Sequence, residues 1–283
     1  MSWELYTAIS VLGLSISIIL QRVLIHKDKV DPVAYAVFFQ AVVAVIIALF
    51  VIVTGFSLTG IGNYVVPAIA SMVLYGVGHI VYAKTLQRVE ASVFSVYFAT
   101  HAIWVMLLGI LLFSETLTVA QAIGSLLIFA SVSLVVKSAR NFRPDTGALL
   151  GLLTGVLFGL AIMSWSYVGR HTDALSWAAV SFAGASVVAL LCSPSAIKKM
   201  GPMVTPKVLP KLALLGIFYA IGSVAMLYAY KEGTFSLVSP LRQTGIIVTV
   251  VLALLLLPAE RIRIGRKIAA AAICTLGVVL LIV

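Results

Sequence analysis

Arg242 sits well inside a long apolar run, between Ser239–Pro240 and Gln243–Thr244–Gly245. A guanidinium can grip a carboxylate through two parallel hydrogen bonds, a geometry that lysine does not reproduce. Its cost in an apolar setting is high, so it must meet water, a counter-charge or hydrogen bonds. Two readings follow. Arg242 either lines a solute cavity, with Gln243 beside it, or snorkels and caps the break at Pro240. The cavity reading is preferred. On a second apolar run, Tyr97, His101 and Trp104 are spaced i, i+4, i+7 and are expected to share one helical face. Further polar or aromatic candidates inside such runs are His79, Tyr82, Gln21, Gln40, Trp165, Tyr167 and Tyr228. Each is also compatible with an ordinary interhelical hydrogen bond.

Several chemistries are excluded by what these runs lack. All nine acids fall at or beyond the expected helix ends. A Ser–His–Asp triad lacks its buried acid, and paired catalytic aspartates are missing. His79 and His101 alone make no metal site, and no glycine-rich phosphate loop of the Walker type is present. No enzyme activity, metal or cofactor is expected. Glu115 and Glu260 recur, but each sits at a helix junction, where a carboxylate complements exposed amides and the helix dipole. Cys192 and Cys274 lie in apolar runs and read as core packing.

The elements that carry these residues follow from composition. Apolar residues make up 62% of the 283-residue chain and charged residues only 10%, against about 25% charged in soluble domains. Runs of about 20 apolar residues match a hydrocarbon core of about 30 Å. Ten helices are expected, near 4–24, 32–54, 62–84, 91–113, 117–137, 147–169, 174–193, 211–230, 234–257 and 266–283. The first run carries Glu4 where a cleaved signal peptide has basic residues, so it is expected to stay. Pro67 and Pro240 suggest kinks or unwound turns. Gly147, Gly151, Gly155 and Gly159 recur every four residues and suggest a close helix contact; Gly13 and Ser17 stand at the matching place on the first helix. Trp3, Tyr64 and Trp177 read as interface-belt aromatics.

The chain also repeats itself. FSETLTVAQAIGSLLIFASVSL at 113–134 is echoed by LPAERIRIGRKIAAAAICTLGVVL at 257–280, and Tyr82–Ala83–Lys84 by Tyr228–Ala229–Tyr230–Lys231. The spacing is about 145 residues, roughly half the chain. The halves are 1–141 and 142–283. Under this offset Arg242 corresponds to Tyr97, Tyr228 to Tyr82, and Gln21 roughly to Tyr167. The net charge of +10 is not a nucleic-acid signature, because the basic residues lie between apolar runs. Sixteen fall in the loops after the odd-numbered helices and two, Arg170 and Lys231, on the opposite side. Short basic loops remain in the cytoplasm, so both termini are expected outside an inner (plasma) membrane. Equivalent loops of the two halves fall on opposite faces. Five spans per half is odd, so the second half enters upside down. The expected fold is an all-α integral membrane protein of ten transmembrane helices in two inverted five-helix repeats. That plan is frequent among secondary transporters, with the site near the midplane.

With these features the chain resembles the drug/metabolite transporter superfamily, in particular its EamA-like ten-helix members. The resemblance rests on Ala83–Lys84, Ala229–Tyr230–Lys231–Glu232–Gly233, Ser239–Pro240, and Glu115–Thr116–Leu117 followed by Gly124. The first half has Ser95 where the second has Pro240, and the second has Ala269 where the first has Gly124. The resemblance implies transport without naming a substrate. It also brings to mind the related small multidrug resistance proteins, which use a first-helix carboxylate for proton-for-cation exchange; here only Glu4 is near, so that mode is disfavoured. The expected function is a secondary carrier for a small organic solute, amino-acid-like, carboxylate or otherwise amphipathic, working by alternating access as a monomer or dimer. Proton or ion coupling is open, with His101 the one deep proton carrier. The alternatives are an uncoupled facilitator, a lipid-linked flippase subunit and a non-transporting membrane scaffold.

Overall fold

A computed structural model of the chain describes residues 2–22, 24, 30–86, 91–135, 146–256 and 264–282. Glu260 and half of the sixteen basic loop residues lie outside them. Among the described residues every extended element is helical. The α-helices are α1 (Trp3–Arg22), α2 (Pro32–Thr54), α3 (Val65–Leu86), α4 (Ala91–Phe113), α5 (Val119–Val135), α6 (Thr146–His171), α7 (Ala174–Cys192), α8 (Leu209–Glu232), α9 (Phe235–Arg242), α10 (Thr244–Leu256) and α11 (Ile264–Ile282). Among the described residues, six helical segments are long and apolar enough to cross a membrane: Trp3–Gln21, Pro32–Thr54, Ile61–Thr85, Leu149–His171, Ala174–Cys192 and Leu209–Glu232. A helix satisfies its own backbone within the segment, which a lipid environment demands. The outer surface fits that environment, with large apolar side chains such as Val53 85% exposed.

Helix starts are set by short polar side chains. Asp31 accepts from the amides of Val33 and Ala34 at 3.1 and 3.0 Å and opens α2, with Pro32 at its first position. Asp173 does the same for α7 through the Ser176 amide at 2.8 Å. Thr118 and Gln121 bond reciprocally and open α5, as a capping box does.

Four expectations are corrected. The ninth expected helix is two helices, α9 and α10, broken at Gln243 just after Pro240. Pro67 makes no kink: a short 3-10 turn over Ile61–Tyr64 precedes α3, so Pro67 falls in the first helical turn, where no intrahelical bond is lost. Trp177 is not a belt residue. It is fully buried, and its indole N–H donates to the Trp165 carbonyl at 2.9 Å. Cys192 also departs from its expected core place, being exposed at the end of α7, whereas Cys274 is buried.

The main packing pairs are α1 with α8, α3 with α6, α2 with α7, α4 with α6, and α5 with α11; α9 lies against α4, and α10 against α1. The α4–α6 contact is made at glycines. A Cβ on Gly151 would meet the Tyr97 ring at 2.5 Å, and one on Gly159 would meet Trp104 at 2.6 Å. Gly155 faces Thr100 and the Tyr97 carbonyl.

Candidate functional site

The short helix α9 brings Arg242 to its position. Its C-terminal turn ends at Arg242, and Gln243 donates its amide to the Pro240 carbonyl at 2.9 Å. The helix is anchored on α4 by Ser239, whose hydroxyl donates to the Ala102 carbonyl at 3.1 Å. Arg242 Nη1 lies 3.4 Å from the Tyr230 hydroxyl, and the guanidinium stands 5.9 Å from that ring's centre. Its Nε is buried and has no hydrogen-bond partner among the described residues.

His101 and Gln243 meet beside it. Their Nε2 atoms are 3.4 Å apart, and His101 Nδ1 is 2.6 Å from the Phe98 carbonyl. A carbonyl only accepts, so Nδ1 carries the proton and Nε2 is left to accept from the Gln243 amide. Protonating Nε2 requires Gln243 to turn its own carbonyl towards the ring.

The expected Tyr97–His101–Trp104 face is divided. His101 turns towards Gln243, whereas Tyr97 and Trp104 lie on the α6 glycines, with Trp104 40% exposed at the periphery. The close approach at Gly151 and Gly159 is what accepts these two large rings. Tyr230, twelve residues before Arg242, is a tyrosine beside it.

The other candidates fall into separate places. His79 bonds the Tyr75 carbonyl at 2.9 Å and sits among Phe39, Tyr75 and Phe158. Tyr82 meets Phe98 edge-on and adjoins Phe158. Trp165 donates to Ser181 at 2.6 Å and joins α6 to α7. Gln40 donates to the Ala36 carbonyl at 3.0 Å, but its carbonyl oxygen is buried without a partner among the described residues. Tyr228 stacks on Tyr6, and Tyr167 packs against Tyr64, Phe113 and His171. Gln21 is half-buried at the end of α1. An apolar crevice of about 520 Å³ between α2 and α7, lined by residues such as Val51, Phe56 and Ala183, holds none of these groups.

Sequence reasoning missed a second polar constellation. Ser114 takes a left-handed backbone conformation, φ 52°, and ends α4. Glu115 then folds inward, with its side chain 8% exposed. Its carboxylate accepts the amides of Phe235 and Ser236 at 2.9 and 2.8 Å. Glu115 thus caps a helix N-terminus as expected of its type, but that of α9, while Thr118 and Gln121 cap the adjacent α5. Arg170 was counted as a loop charge. It instead donates Nε to the Tyr230 carbonyl at 2.5 Å and Nη2 to the Gly233 carbonyl at 2.6 Å. Its guanidinium lies 3.9 Å from the Phe235 ring centre and 4.0 Å from Glu115. The one sequence signal was its rarity, as one of two basic residues on an otherwise bare side.

Comparison with known proteins agrees with this architecture. The EamA-like transporter family matches residues 1–137 and again residues 145–283. A curated relative, "Uncharacterized protein MJ1333.1" of Methanocaldococcus jannaschii, is 30% identical over 114 residues, covering 40% of this chain and 80% of that protein. A solved structure described as "Crystal structure of protein" superposes with a TM-score of 0.77 at 15% identity, covering 98% of this chain and 94% of that one. At that identity the likeness bears on the fold alone. Matched twice along almost its entire length, the chain belongs to the EamA-like transporter family.

Proposed function

We propose that the protein is a secondary carrier for a small organic solute bearing an anionic group, moved by alternating access between two inverted five-helix repeats, 1–141 and 142–283. Arg242 carries this reading. A guanidinium in the membrane interior, with a buried Nε left unpaired among the described residues, is suited to bind an anion that arrives from outside the fold. Tyr230, Gln243 and His101 supply polar edges around it. An amino-acid-like or carboxylate solute with an apolar part matches that mixture.

The packing supports the inverted repeat. A shift of five helices turns the α1–α8 pair into α6–α3, while α2 packs against α7, its own counterpart. At the α1–α8 contact a Cβ on Gly222 would meet Leu14 at 2.9 Å; at the α6–α3 contact a Cβ on Gly78 would meet Phe158 at 3.2 Å. Each of these residues stands 144 positions from its counterpart. The paired caps Asp31 and Asp173 fit the same scheme. The charge count supports placing both termini outside the cytoplasm, in a cell inner membrane.

A thermal-shift screen of the purified protein against amino acids, carboxylic acids and their neutral and cationic analogues tests the reading, followed by counterflow of any hit in proteoliposomes. Stabilisation and counterflow confined to anion-bearing solutes is the expected result. Stabilisation by cations alone, or binding without counterflow, contradicts an anion carrier.

A further inference from the structure

The turn between α8 and α9 is held from two distant parts of the chain. Glu115 accepts the first amides of α9, and Arg170 binds the carbonyls of Tyr230 and Gly233. Tyr230 belongs to both this clasp and the Arg242 site. Its carbonyl accepts from Arg170, its ring stacks on Phe235 at 5.2 Å, and its hydroxyl faces Arg242 at 3.4 Å. The residue is fully buried. Moving the turn therefore requires breaking the bonds to Glu115 and Arg170, and it carries Tyr230 with it.

α9 is built to transmit such a movement. It has eight residues, a rod of about 12 Å, with the clasp at its first turn and Arg242 at its last. The break at Gln243 separates it from α10, so it can tilt without dragging the longer helix. We propose that Tyr230 is a positioning residue that couples closure of the Glu115–Arg170 clasp to the aim of Arg242. The anion grip is complete only while this end of the bundle is shut. Opening the clasp withdraws the Tyr230 hydroxyl and loosens the guanidinium. This rests on Arg242 as the anion-binding group, and it adds how that group is switched.

The test uses the full chain in nanodiscs without any solute. Native cysteines are replaced by serine, and spin labels are placed at Thr116→Cys and Glu232→Cys, both exposed positions. Three quantities are read: hydrogen exchange of the Phe235 and Ser236 amides, the spin-label distance, and the rate at which phenylglyoxal modifies Arg242. In the wild type both amides exchange slowly. Glu115→Gln speeds their exchange, lengthens the distance by about one helical turn, ~5 Å, and accelerates Arg242 modification about tenfold, the effect of losing one charge-assisted hydrogen bond. Tyr230→Phe accelerates the modification but leaves the distance unchanged, because its ring and carbonyl remain. Should Glu115→Gln fail to fold, Arg170→Lys keeps the charge, loses the double carbonyl grip and carries the same expectations.

Fast exchange of both amides in the wild type overturns the proposal. So does an opened clasp with unchanged Arg242 modification, or wild-type modification in Tyr230→Phe. These readouts need no solute. Retained anion binding in Arg242→Gln would instead overturn the carrier reading and leave the clasp measurements standing.

Discussion

Glu115 accepts the Ser236 amide at 2.8 Å, across 121 residues of chain. The contact ties the loop after α4 to the first turn of α9, the helix that ends in Arg242. Nothing local demands it, since Thr118 and Gln121 already open α5. The carboxylate is therefore free to serve another helix, and it does so where the amides of α9 would otherwise be unpaired.

Enlarging the α4–α6 contact should cost stability. A leucine at Gly151 or Gly155 has no space, because Tyr97 and Thr100 lie directly against them. Overpacking of this kind costs about 1–3 kcal/mol. Thermal melting in detergent checks it: a well-expressed Gly155→Leu protein with wild-type melting would show that this face is not packed.

The cap on α2 should weaken in acid. Burial of Asp31 opposes its ionisation, but the Ala34 amide, the Lys199 ammonium and the Val33 amide outweigh that, and hold its carboxyl below the ordinary aspartate value. A lowered folded-state value means stability that is present above the ordinary value and lost as pH falls through the lowered one. Asp31→Ala should cost about 1 kcal/mol at neutral pH. The melting gap between wild type and variant should narrow towards strongly acidic pH; a constant gap would contradict the ionised cap.

The basic loops predict orientation. With sixteen basic residues counted on one side against two on the other, both termini are expected outside the cytoplasm. A C-terminal reporter that works only in the cytoplasm should stay silent. A strong signal would reverse the orientation and leave the helix packing untouched.

How much was legible in the sequence depends on distance along the chain. The α2 and α4 bounds were readable because a run of apolar residues, bounded by polar ones, admits one solution in lipid. The break at Gln243 was only hinted at by Pro240, because hydropathy continues unchanged through Gly245–Val251. Gln243 and His101 were picked out singly as polar groups in apolar runs, and the fold brings them together. Trp104 was picked out on the same grounds, but helical spacing alone does not say which neighbour a face meets; the α6 glycines took it. Tyr230 escaped notice because the repeat pointed to Tyr228, two residues away and on another face of α8. The partners of Glu115 and Arg170 lie 60 or more residues distant, and no local pattern encodes such pairs.

Arg242 offers the most direct measurement. A solute that stabilises the protein in the thermal-shift screen is titrated against wild type, Arg242→Lys and Arg242→Gln by isothermal calorimetry. Lysine keeps the charge but loses the parallel pair of hydrogen bonds. The account predicts weakened binding in Arg242→Lys and nearly abolished binding in Arg242→Gln, with both variants folded by melting. Equal affinity in all three would contradict it and leave Arg242 as a cap on the break after Pro240.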